Sequence, residues 1–201
     1  MINSASRMAM VSLVLAVLLS ACSGFSSKSA VTQTYLLQPA MPGAAAASAP
    51  ATSLAVVLPV VAPGLDTERI ALVQPDGRLD SFAASRWPDA LSLVLHPLII
   101  DAVRASGAWQ TVQMDGAPFN AEFVLQVEVR QFAIEYDAAG NPSAKVSLVG
   151  TLGRRADRAT LRTISIAQTA SASANRMSAV IEAFNHALGD SLSQLAAQAR
   201  P

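Results

Sequence analysis

The sequence predicts an α+β fold of two layers, a mostly antiparallel mixed sheet covered by two helices. Three observations predict it. First, residues 122–136 (EFVLQVEVRQFAIEY), 143–155 and 160–172 are long period-two segments separated by turn residues, the pattern of an antiparallel meander. Second, Met177, Val180, Ile181, Phe184, Leu188, Leu192 and Leu195 fall on one stripe of a helix. Third, an apolar segment of helical length opens at Trp87-Pro88-Asp89. Apolar strands need a cover on at least one face, so sheet and helices stack as layers.

In chain order, Tyr35-Leu36-Leu37 is a short apolar strand start, and 38–53 (QPAMPGAAAASAPATS) is an Ala/Pro-rich surface loop. LAVVLPVVA (54–62) is a continuous apolar run, read as a strand buried on both faces, with an irregularity at Pro59. RIALVQ (69–74), the turn Pro75-Asp76-Gly77 and RLDSFAAS (78–85) form a hairpin. The first helix runs from Trp87 to Ser106-Gly107, with a kink expected at Pro97, and AWQTVQM (108–114) is a further strand. In 122–136, Phe123, Leu125, Val127 and Val129 share one parity while Phe132, Ile134 and Tyr136 take the other, which predicts a β-bulge near Arg130-Gln131. Asn175 is placed as the cap of the last helix. Within that helix Gly189 weakens helicity by about 1 kcal/mol relative to Ala, so its small size points to close packing.

The N-terminus has a different character. Arg7 precedes Met8–Leu19, apolar except for Ser12 and too short to span a bilayer, which takes about 20 residues. A basic start, a short apolar stretch and small residues make a signal peptide over 1–21. It ends in Leu19-Ser20-Ala21-Cys22, and Cys22 is the only cysteine of the chain, so it can form no internal disulfide. This string resembles the bacterial lipobox. The resemblance implies cleavage between Ala21 and Cys22, an S-diacylglycerol on the Cys22 thiol and an N-acyl chain on its amino group. Each buried CH₂ contributes about 0.8 kcal/mol, so three chains make release negligible. Residues 22–34 then form a lipidated tether, whose part from Ser23 to Thr34 reaches about 40 Å fully extended. Residues 35–201 form a single domain. Ser23 after the cysteine permits export to the outer membrane under enteric-type sorting.

Composition bounds the partners. Cleavage removes one of the 14 Lys and Arg (Arg7) and none of the 14 Asp and Glu, leaving a net charge near −1. That balance offers no long-range field to nucleic acid. There is no zinc motif, cysteine pair, Gly-x-Ser-x-Gly elbow or phosphate-cradling loop, so no catalytic residue, metal or cofactor is expected beyond the covalent lipid. His96 and His186 read as packed or surface histidines, and Glu135 and Asp137 as solvated charges at a strand end.

Two features are candidate binding surfaces. Arg154, Arg155, Arg158 and Arg162 cluster around a hairpin turn; they form either a solvated turn or a contact for an anionic group on a partner. On the first helix, Leu91, Val94, Leu95, Leu98 and Ala102 make one apolar face, while Leu93, Ile100 and Val103, with His96 among them, make a second. A helix apolar on two sides is usually buried on two sides, which leaves an interface or a covering loop as the occupant of the second stripe.

The order of these features resembles a known family. A lipobox is followed by Tyr35-Leu36-Leu37, by VVLPVVAPGLDTERIAL (56–72) with Leu65-Asp66, by Trp87 opening a helix, and by a terminal helix with AFNHALGDSLSQLA (183–196). The chain is similar to the ABC-type transport auxiliary lipoproteins, departing from them in the 38–53 insertion and in His96-Pro97. The resemblance implies a non-enzymatic lipoprotein on the periplasmic face of the outer membrane. It would be accessory to an ABC transporter whose mammalian-cell-entry (MCE) domain protein moves lipid between the two membranes, and some members assemble as rings. The alternative is a structural or assembly lipoprotein of another envelope machine.

Overall fold

The computed structural model describes residues 31–41, 43 and 51–201. The signal segment, Ala21, Cys22 and most of the tether lie outside the described residues, as do 42 and 44–50 of the Ala/Pro loop. The elements in order are β1 (Gln33–Thr34), β2 (Ser53–Val56), β3 (Val60–Val61), β4 (Arg69–Val73), β5 (Leu79–Arg86), α1 (Leu91–Ala105), β6 (Thr111–Met114), β7 (Phe123–Tyr136), β8 (Pro142–Arg154), β9 (Thr160–Ser171) and α2 (Met177–Gln198).

β7 organises the sheet. One edge of it pairs antiparallel with β8 along its whole length, and β8 pairs antiparallel with β9. Its other edge takes three short parallel partners in succession: β2 at Phe123–Leu125, β3 at Glu128–Val129 and β4 at Ile134–Glu135. β6 lies parallel outside β2, while β5 lies antiparallel outside β4 and carries β1 in parallel. β2 and β3 are the two pieces of the apolar run 54–62, broken around Pro59, which has no N–H to give the ladder. The expected bulge is present, as a register shift between Val129 and Gln131. It brings Phe132 and Ile134 onto the same buried face as Leu125, Val127 and Val129.

Both helices pack on that face, α1 over β2, β3 and β6 and α2 over β8 and β9, and they touch each other. The architecture is therefore α+β, with an open mixed sheet and two helices. Trp87, at the end of β5, meets Phe132 and Phe184 edge-on with ring centroids 6.0 and 5.5 Å away, and the two phenylalanines stack at 4.8 Å. These rings join β7, α2 and the entry to α1 in one core. The α2 helix settles closely on β8 because Gly150 leaves room for Leu195: a Cβ there would stand 2.7 Å from Leu195 Cδ1. The opposite face of the meander is polar, with Glu128, Val149 and Ser165 in register across three strands and Gln126, Thr151 and Thr163 beside them. An antiparallel sheet can leave such a face in water.

The structure differs from the sequence expectation in five places. The helix expected to open at Trp87 begins at Leu91, with Trp87 in the segment that precedes it. The first strand is Gln33–Thr34, inside the expected tether, while Tyr35–Leu37 follows it, with the Tyr35 N–H bonded to the Arg86 carbonyl at 2.9 Å. The short, polar Gln-Thr pair carries no strand signal of its own and is recruited by the free edge of β5. Several pairings are parallel, joining segments remote in sequence that local patterning does not connect. α1 runs continuously through Pro97, which lies on its exposed side, where water can reach the Leu93 carbonyl that loses its helical donor. Finally, Asn175 does not cap α2. The cap position is Arg176, without a side-chain bond, and Asn175 Oδ1 accepts the Tyr136 hydroxyl at 2.9 Å.

Candidate functional site

The second stripe of α1 divides in the structure. Val103 is fully buried and Ile100 is 6% exposed, whereas Leu93 is 48% exposed. The reason is positional: α2 flanks α1 and β2, β3 and β6 lie beneath it, so most of both apolar faces is spent inside the domain. His96 is half-buried, with Nε2 at 3.0 Å from the Val56 carbonyl oxygen, and joins the helix to β2. It is a packed histidine. Of the candidate interface residues, Ile100 and Val103 are therefore corrected to core positions, His96 is half-buried and bonded to β2, and Leu93 is the one that stands exposed.

Leu93 is not isolated there. With Val94, Pro97 and Leu98 it borders a shallow depression of about 330 Å³, closed on the other side by Leu36 and Pro88. Leu36 is 59% exposed, so the patch joins the outer side of α1 to the segment that leaves β1. Single exposed leucines need no explanation, but a contiguous group of them marks a surface fit for contact.

The α1 N-terminus beside this patch is held from a distance. Asp66 Oδ1 accepts the Ser92 N–H at 2.9 Å and Oδ2 accepts the Ser92 hydroxyl at 3.2 Å. The residue at the cap position, Ala90, offers no side-chain bond. In the sequence Asp66 stands out only as part of the Leu65-Asp66 motif. The 26-residue separation hides its role, because local rules look for a cap next to the helix.

The arginine cluster is mostly engaged within the chain. Arg154 pairs with Asp157 at 3.5 Å, Arg155 with Asp115, and Arg162 Nη1 donates to the Gln198 carbonyl at 2.7 Å. Arg162 thus closes the C-terminal end of α2, where a cation complements the helix dipole. Arg158 sits in the β8–β9 turn with φ +57° and has no ion pair among the described residues. The four do not converge on one site.

Nor do the carboxylates. Asp137 turns inward on the β7–β8 turn, where Oδ1 accepts the N–H groups of Ala139 at 2.9 Å and Asn141 at 2.8 Å. The bonds from the Asn141 side chain, then from its backbone, hold this carboxyl below the usual Asp range. Burial pushes the Tyr136 phenol upward. Neither group has a reacting partner. Among the described residues no three His, Cys, Asp or Glu side chains are grouped to hold a metal ion, and no helix is long and apolar enough to cross a membrane.

Solved structures share the fold. Protein XCC0632 from Xanthomonas campestris superposes with a TM-score of 0.72 at 21% identity, over 81% of this chain and 92% of that one. A second, uncharacterized protein superposes with a TM-score of 0.62 at 14% identity, over 84% and 95%. No functionally curated protein matches the chain. The family described as ABC-type transport auxiliary lipoprotein component matches residues 35–198, which takes in Asp66, the Leu93 patch, the meander and all of α2. Over that span, and with that fold, the chain belongs to the ABC-type transport auxiliary lipoprotein family.

Proposed function

We propose that this protein is a non-enzymatic accessory lipoprotein of an ABC/MCE-type system that moves lipid between the inner and outer membranes. It is anchored through lipidated Cys22 to the periplasmic face of the outer membrane. The family match over 35–198 carries the reading, and the lipobox Leu19–Cys22 ahead of it supports the anchor. The Leu36–Leu93 patch follows Cys22 by a tether that reaches tens of ångströms at most, so contact with the transporter would occur close to the membrane.

The test is a mild-detergent pull-down of the full-length, lipidated protein from envelopes, beside a Cys22→Ala control. Recovery of an MCE-domain protein together with its ATPase supports the proposal. Recovery of another assembly machine alone would retain the anchor and overturn the transport role. Unchanged membrane retention of Cys22→Ala would overturn the anchor.

A further inference from the structure

β9 is an edge strand. It pairs with β8 on one side and with nothing described on the other. At 12 residues it leaves roughly six with backbone N–H and C=O groups directed outward. Proteins commonly protect such an edge with Pro, Lys, inward charges or a bulge. TLRTISIAQTAS has no Pro, Gly, Lys or carboxylate, and its only charge is Arg162. The register shift in the β8–β9 ladder falls at Leu152/Gly153, beside the start of the strand, and leaves the rest regular.

A groove of about 270 Å³ runs beside the second half of this edge. Thr169 and Ala170 of β9 form one wall, and Ala179, Glu182, Ala183 and His186 of α2 form the other. Of the eight residues that line it, three are alanines and two, Ser171 and Ser173, are serines, so the space is one that larger side chains would have filled. An incoming strand that paired with β9 would direct every second side chain under α2, into this groove. A sheet edge next to a helix is a geometry that accepts an extended peptide, with backbone bonds giving affinity and the groove giving selectivity.

Charge decides between occupants. The helix wall carries Glu182, with no ion pair among the described residues, and His186, which is paired with Asp190 at 3.3 Å. A basic side chain on an incoming strand has Glu182 to pair with, and an acidic one is opposed by it; the β9 strand of a second copy offers only one charge, Arg162, which already donates to the Gln198 carbonyl.

We infer that the free edge of β9 and the groove under α2 bind an extended segment of a partner polypeptide, one with small to medium apolar residues at alternate positions and an Arg or Lys placed to meet Glu182. This goes beyond the accessory role, since it holds for any partner that supplies such a segment.

Selection of a phage-displayed random decapeptide library on the full-length protein in detergent tests it. The expected peptides alternate β-branched residues and are enriched in Arg or Lys. They slow amide hydrogen exchange in residues 163–171, and they lose affinity about five-fold against Glu182→Lys, the scale of one exposed charge pair. Methylating the peptide nitrogens on the side that faces β9 should abolish binding, while methylating the other side should spare it. Failure to select any peptide, selection without cationic enrichment, protection at another edge, or self-association through β9 would each overturn the inference.

Discussion

The Trp109 indole N–H donates to the carbonyl oxygen of Ala199 at 2.8 Å, and so joins the segment before β6 to the last turn of the chain. Both residues are buried, and the Trp109 ring also packs on Phe123 with centroids 5.2 Å apart. Trp109→Phe keeps an aromatic ring and strands a buried carbonyl. It should lower stability by about 1–3 kcal/mol, measured by urea unfolding, with exchange rising first at residues 195–199.

Asp66 acts as a cap supplied by tertiary structure. Asp66→Ala should cost about 1–2 kcal/mol through the unmet Ser92 N–H, whereas Asp66→Asn, which can still accept that bond, should recover most of it. Equal losses in both variants would mean that the carboxylate charge, not the bond, is what matters.

Two glycines should respond to Ala in opposite ways. At Gly150 an added Cβ enters the core against Leu195, so Gly150→Ala should destabilise by about 1–3 kcal/mol. At Gly189 the Cβ would stand 3.2 Å from the Ala40 carbonyl oxygen and 3.3 Å from its nitrogen, on a segment otherwise held by the bond from the Gln38 N–H to Asn185 Oδ1. Gly189→Ala gains up to about 1 kcal/mol of helix propensity. Its thermal midpoint should therefore hold or rise, while proteolysis near 39–41 accelerates.

Asp137 gives an acid dependence with a definite sign. Its folded-state pKa is depressed by the Asn141 bonds, so its contribution is present above the ordinary Asp value, about 3.9, and is lost as pH falls through the lower folded-state value. Asp137→Asn should flatten stability against pH below about 4, and the Asp137 carboxyl should titrate below the ordinary range by NMR.

Leu93 and Ile100 separate surface from core on one helix. Leu93→Asp should change stability by no more than about 0.5 kcal/mol while reducing partner recovery from envelopes. Ile100→Asp buries a carboxylate in the core and should lower stability by more than about 3 kcal/mol. A large loss of stability in Leu93→Asp would remove the patch from consideration as a docking surface.

The sequence by itself determined the layers, the β7–β9 meander, the bulge after Val129, the interruption at Pro59 and the packing constraint at Gly189. Each depends on side-chain period, turn chemistry or the absence of a Cβ, all of which are local. It also contained the family resemblance, in soft aliphatic motifs spread along most of the chain. The tertiary structure alone decided the parallel pairing of β2, β3 and β4 with β7, the recruitment of Gln33–Thr34, the cap from Asp66 and the bond from Tyr136 to Asn175. It also decided which apolar residues of α1 are covered. Leu93, Ile100 and Val103 are alike in hydrophobicity and differ only in what surrounds them, and those neighbours come from α2 and strands far away in the chain. A period shows which residues share a face; contacts between remote segments determine whether that face meets protein or water.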